Sequence, residues 1–200
     1  SKKISMKVGL YFGTFNPIHI GHIVIANHMV QYTDLDEVWM VVTPHSPLKK
    51  KKGLLEDFPR IHMVNLATAD YDYIKPSDVE FNLPQPNYTV NTMAHLHERY
   101  PKHEFSLLMG QDNLDSLPKW KNYEVLLERY PIYVYPRIFS GKEEANPLLA
   151  HPNIHLVENA PIMEISATFI RDSIKEGKNI MPLLDKEVWK YIDHNLFYKK

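Results

Sequence analysis

Two histidines three positions apart stand in the run Gly13-Thr14-Phe15-Asn16-Pro17-Ile18-His19-Ile20-Gly21-His22. Residues at i and i+3 of a helix share a face, so His19 and His22 would present two imidazoles to one ligand. Gly13 permits a tight turn, and Thr14 offers a hydroxyl and an amide. Asn16 before Pro17 reads as a helix start, since proline in the first turn forfeits no hydrogen bond. Gly21 leaves room for a ligand to approach the backbone. Imidazoles and free amides at a helix N-terminus make an anion site. Taken singly, either histidine is more often an ordinary core or surface residue, and the combination is far more specific than its parts. A zinc site would need a third ligand, and none stands at a clear spacing.

The second run with chemical content is Ile165-Ser166-Ala167-Thr168-Phe169-Ile170-Arg171. Ser166 can cap a helix whose first turn exposes amides, with Thr168 in that turn and Arg171 just beyond it. By itself this is an ordinary capped helix with a solvated arginine. Beside the first run it becomes a second phosphate clamp.

The elements that must position these residues alternate between strand and helix. Apolar runs predict strands over Lys7–Phe12, Glu37–Val42, Glu104–Met109, Ile132–Tyr135 and Ile154–Val157, with a further strand over Ser77–Asn82. Helices are predicted from about Ile20 to Tyr32, then over Phe58–Asp70, Tyr88–Tyr100, Tyr123–Arg129, Ser166–Glu176 and Asp185–His194. Short apolar strands separated by helices predict an α/β fold, a Rossmann-like, mostly parallel sheet with helices on both faces. Ligands bind such sheets outside the carboxyl ends of the strands, and the first run directly follows a strand. No internal repeat and no linker divides the chain, so residues 1–200 read as one domain.

Composition limits the alternatives. The chain has 200 residues, 44% of them hydrophobic and 24% charged, and a formal net charge of −1. That balance marks a globular protein and gives no reason to expect a nucleic-acid or membrane partner. Any phosphate binding must come from a local site. The absence of cysteine removes disulfides, zinc–thiolate sites and thiol nucleophiles. No apolar stretch approaches the roughly 20 residues of a membrane span, and a soluble, cytoplasmic protein is expected. Neither a P-loop nor the dinucleotide-cofactor fingerprint is present.

The Gly13–His22 run resembles the signature of the HxGH nucleotidyltransferases, and Ile165–Arg171 resembles the I-S-x-T-x-I-R segment that this superfamily sets against the triphosphate. Three further segments are similar to those of the bacterial nicotinate-nucleotide adenylyltransferases. They are Pro86-Asn87-Tyr88-Thr89-Val90-Asn91-Thr92, Gly110-Gln111-Asp112-Asn113-Leu114 with Leu117-Pro118-Lys119-Trp120-Lys121, and a Pro/His/Lys loop over Thr43–Lys50. The likeness runs in order from about Lys7 to Phe197. The sequence departs from it at Phe12, where a second glycine is common, at Asn16, usually Asp, and at Ala167, usually Ser.

The resemblance implies adenylyl transfer from ATP to nicotinate mononucleotide, with Mg²⁺ carried by ATP and no protein ligand for the metal. It implies His19, His22, Thr14 and Arg171 as the catalytic set. Gly13, Phe15, Gly21, Gly110, Ile165, Ser166 and Thr168 would line the ATP site, Asp112 would contact its adenosine part, and Lys49 of the tetralysine run would reach its β- and γ-phosphates. Charge runs are more often simply solvated. Tyr88, Thr89, Trp120 and Lys121 would hold the mononucleotide, with Trp120 stacked on the pyridine ring, although most tryptophans are core residues. The alternatives are a phosphopantetheine adenylyltransferase, which shares both phosphate motifs, or a non-catalytic nucleotide sensor. Formation of a homo-oligomer is left open.

Overall fold

The computed structural model describes residues 4–46, 51–138, 141 and 144–200. Strand β1, Lys7–Gly13, alternates Val8 and Leu10 toward one side of the sheet and Tyr11 toward the other. Strand β2, Glu37–Val42, does the same, with Val41 opposed to Met40 and Val42. Runs apolar on both faces suit the interior of a parallel sheet. Four more strands follow: β3 (Ile74–Ser77), β4 (Glu104–Gly110), β5 (Ile132–Tyr135) and β6 (Ile154–Leu156). Their order is β3-β2-β1-β4-β5-β6 and every neighbouring pair is parallel. Leu10 is in register with Trp39 on one side and Leu107 on the other.

Helices α1 (Ile20–Tyr32), α2 (Asp57–Thr68), α6 (Ala167–Lys175) and α7 (Lys186–His194) contribute Ile25, Met29, Met63, Val64, Ile170, Ile174, Val188 and Ile192 to the core on one face. Helices α3 (Thr89–Arg99), α4 (Gln111–Ser116) and α5 (Tyr123–Arg129) place Met93, Leu96, Leu114, Leu126 and Leu127 against the other. Each such side chain, fully buried, stabilises the fold by about 1.5–3 kcal/mol. The chain winds outward from β1 through β2 to β3, then returns through α3 to β4 on β1's other side. That reversal puts the switch point of the sheet, where ligands of such folds bind, at the carboxyl ends of β1 and β4, marked by Gly13 and Gly110.

The strand expected over Ser77–Asn82 is displaced. The strand is Ile74–Ser77, and Val79–Asn82 forms a turn of 3₁₀-helix. Its signal was hidden by Lys75 and Pro76, which an edge strand tolerates because one side of its ladder is unpaired. Asn16-Pro17 does not open a helix either. Helix α1 begins at Ile20, with His19 as its N-cap.

Candidate active site

The N-terminus of α1 is capped by its own histidines. His19 Nδ1 accepts the backbone N–H of Gly21 at 3.1 Å, and His22 Nδ1 accepts that of His19 at 3.1 Å. The two rings stack with centroids 3.7 Å apart. An imidazole nitrogen that accepts a backbone N–H carries no proton, so each neutral ring must bear its hydrogen on Nε2. Burial pushes the His19 pKa down to about 4. Burial, and then the neighbouring His19, holds His22 well below the usual histidine range. The pair therefore offers two neutral Nε2–H donors at the positive end of a helix. Gly21 is required for this stacking, because a Cβ there would stand 2.9 Å from the His19 ring.

Beneath the pair, Phe15 holds a left-handed backbone (φ 48) with its side chain buried. Its ring meets His22 edge-on at 5.0 Å and Tyr11 at 5.9 Å. A non-glycine residue in this conformation costs about 1–3 kcal/mol and persists only where packing holds it. Thr14 is exposed, and its carbonyl accepts from Arg60 Nη1 at 2.8 Å. Arg60 was not anticipated. Wholly buried, it also donates to the carbonyls of Thr43 and Leu55 and pairs with Asp57 at 2.8 Å. Its place inside an ordinary helical pattern gave no sign of this.

The two signature runs meet. Arg171 Nη1 donates to the carbonyl of Asn16 at 2.8 Å, and Nη2 to Thr168 Oγ1 at 3.3 Å. A Cβ on Gly21 would stand 3.9 Å from Ile165 Cβ. Ser166 caps α6 by accepting the N–H of Phe169 at 3.0 Å, and the other amides of that first turn have no carbonyl within the helix to bond. Lys49 lies outside the described residues.

A second group gathers at the start of α3. Tyr88 is its N-cap and makes no side-chain cap, so the first-turn amides, beginning at Thr89, are left without one. Lys121 Nζ lies 4.5 Å from the centre of the Tyr88 ring. Trp120, adjacent in sequence, is partly buried against the core under α3 and α5. Residues 83–88 together with Asn91 and Thr92 line a cavity of about 380 Å³. Glu80, buried, accepts the Thr92 hydroxyl at 2.7 Å and so ties the two ends of that loop together. Gly110 ends β4, where a Cβ would strike the Tyr135 ring at 2.8 Å. Asp112 is exposed and accepts from Arg137 Nη1 at 3.0 Å, and Asp115 pairs with the same guanidinium. Arg137 is a further residue the sequence did not mark, although an arginine just past a strand end was its available signal. A cavity of about 530 Å³ lined by Lys7, Glu104 and Tyr133 lies at the amino edge of the sheet, away from these residues.

A family model described as cytidylyltransferase-like matches residues 10–173, from β1 through most of α6. The chain belongs to this family. Within the family it is 67% identical over 195 residues to a probable nicotinate-nucleotide adenylyltransferase of Flavobacterium johnsoniae, covering 98% of this chain and 100% of that one. It is 41% identical to the corresponding protein of Bacteroides thetaiotaomicron, over 94% and 91% of the two chains. The nicotinate-nucleotide adenylyltransferases are thus its immediate relatives. The same fold is found in the Plasmodium falciparum nicotinic acid mononucleotide adenylyltransferase complexed with NaAD, at 18% identity and a TM-score of 0.79 over 96% of this chain and 97% of that one.

Proposed function

We infer that this chain transfers the adenylyl group of ATP to nicotinate mononucleotide, giving deamido-NAD and pyrophosphate. The observation that carries the chemistry is the stacked pair His19 and His22, fixed as Nε2–H donors at the end of α1. A phosphate oxygen of the mononucleotide attacks the α-phosphorus. The bond from that phosphorus to the bridging oxygen breaks, and pyrophosphate leaves with the electron pair. The nucleophile is already an anion, so no general base is needed and neutral imidazoles suffice. Their task is to hold two polyanions in line and to donate to the oxygens on which charge builds. Positioning of this kind can contribute roughly 7–11 kcal/mol.

In this reading His19 and His22 face the α- and β-phosphates, and Thr14 orients them. Arg171 and the amides behind Ser166 receive the departing pyrophosphate. The first-turn amides of α3 and Lys121 face the carboxylate of the pyridine ring, and Trp120 sets the ring plane. Among the described residues no group of three or more His, Cys, Asp or Glu is placed to cage a metal. In this reading Mg²⁺ would be carried by the triphosphate oxygens and water and would neutralise charge there. No described helix is long and apolar enough to cross a membrane, and we place the reaction in the cytoplasm. The test is a product assay with ATP against nicotinate mononucleotide, nicotinamide mononucleotide and phosphopantetheine. Deamido-NAD is the expected product. Dephospho-coenzyme A, or no turnover with any acceptor, would overturn the reading.

A further inference from the structure

Asn16 is buried at the centre of four hydrogen bonds that reach three distant segments. Its Nδ2 donates to the carbonyl of Gly53 at 2.9 Å. Its Oδ1 accepts the backbone N–H of Leu55 at 3.2 Å and the hydroxyl of Tyr198 at 2.6 Å. Its own carbonyl accepts from Arg171. A carboxylate could take both donors but could not give a hydrogen to Gly53, so the amide is the side chain that satisfies every partner. The segment it holds, residues 51–55, carries the last lysines of the tetralysine run. It passes against Arg171, where a Cβ on Gly53 would stand 3.8 Å from Nε, and Gly53 itself has φ +84. Tyr198 belongs to the last turn of the chain and packs with Phe197 into the core beneath α2 and α7.

We propose that Tyr198 is a positioning residue for ATP: acting through Asn16, it sets the Arg171 guanidinium and the 51–55 segment around the triphosphate. The inference rests on the adenylyl-transfer reading. It explains why a residue near the end of the chain is drawn into the turn that precedes His19. Among the described residues Arg60 and Arg171 also tie residues 14–16 to the segment after β2 and to the start of α6, and neither bonds to the Asn16 side chain. Among the described residues the Tyr198 hydroxyl is the partner of that side chain supplied from outside the two loops it joins.

The test is Tyr198→Phe, which keeps the ring and its packing and removes only the hydroxyl. ATP affinity by calorimetry should weaken about fivefold to tenfold, the scale of one lost hydrogen bond. The KM for nicotinate mononucleotide should stay within twofold. In an Arg171→Lys background the same change should weaken ATP binding much less, because the Asn16 carbonyl no longer has the guanidinium to orient. Unchanged ATP affinity in Tyr198→Phe would overturn the proposal. So would equal losses for both substrates, effects additive with Arg171→Lys, or loss of the fold, since each makes the hydroxyl a general stabilising group. Calorimetry needs no turnover, so a wild-type chain that binds ATP but forms no deamido-NAD would fail the functional reading alone.

Discussion

His19 and His22 each accept a backbone N–H at Nδ1, and one of those N–H groups belongs to His19 itself. The two side chains thus replace the hydroxyl or carboxylate that usually caps a helix, and in the proposed reading the cap and the anion site are one structure. The proposed chemistry depends on this geometry, because the cap fixes which nitrogen of each ring is free to donate to a phosphate.

The first expected outcome concerns pH. Both rings should be neutral Nε2–H tautomers at pH 7, and nitrogen-15 NMR of the imidazoles would read this directly. For His19 the folded state holds the pKa at about 4, against 6.5 for the free side chain. The unfolded chain then binds more protons between these values, and stability must rise with pH across that window. The contribution is fully present above about pH 6.5 and is lost as pH falls toward 4. Its size is on the order of 3 kcal/mol. Urea midpoints for wild type and His19→Gln at pH 7 and pH 4.5 should converge at the lower pH. A constant difference would show that His19 is not held neutral.

His22→Ala should lower kcat at least ~100-fold, the scale of losing one preorganised donor. Because His22 also accepts the His19 N–H, a loss of about 1 kcal/mol in stability should accompany it. Circular dichroism separates the two effects. Near wild-type turnover in the folded variant would remove the imidazole pair from the mechanism.

Arg171→Lys keeps the charge but loses the planar fork that holds Asn16 and Thr168 together. Turnover should fall and the KM for ATP should rise, while the KM for the mononucleotide changes little. Initial-rate kinetics with each substrate varied would show the split. Unaltered ATP kinetics would place Arg171 outside the site.

Arg60→Leu leaves the carbonyls of Thr14, Thr43 and Leu55 without their donor in a buried place. Each orphaned carbonyl costs about 1–3 kcal/mol, so the total should be on the order of 3 kcal/mol or more. Denaturant unfolding measures it. A loss under about 1 kcal/mol would mean that water replaces the guanidinium.

Nicotinate mononucleotide should be preferred over nicotinamide mononucleotide by about 10- to 1,000-fold in kcat/KM, because in the proposed site the amides at the start of α3 and Lys121 would offer the ring substituent donors only. A carboxamide must turn an NH₂ toward one of them. A ratio near one in parallel assays would remove that selectivity and leave the phosphate chemistry intact. Trp120→Ala should weaken both substrates without reversing their order.

The alternating fold and the two signature runs were legible in the sequence because they depend on short-range rules. Apolar runs of strand length recur between helical stretches, and a capping serine and paired histidines declare themselves by spacing alone. Among the described residues, six of the seven α-helices and five of the six strands stand where those patterns place them, within a residue or two. What failed locally did so for tertiary reasons. β3 is a strand through its pairing with β2, despite Lys75 and Pro76, and α4 is too short for its periodicity to show.

The tertiary structure alone decided the long-range partners. Nothing in the helical pattern of α2 distinguishes Arg60 from a surface arginine until three carbonyls from separate segments close around it. Asn16 read as a helix start and became a junction between the first loop, the 51–55 segment, α6 and the end of the chain. The histidine tautomers belong to the same class, since residue types can place two imidazoles on one face but only the folded backbone chooses the nitrogen that accepts. Spacing encodes neighbours along a helix or strand. Hydrogen bonds between residues as distant in the chain as 16 and 198 arise only when the sheet has brought their elements together.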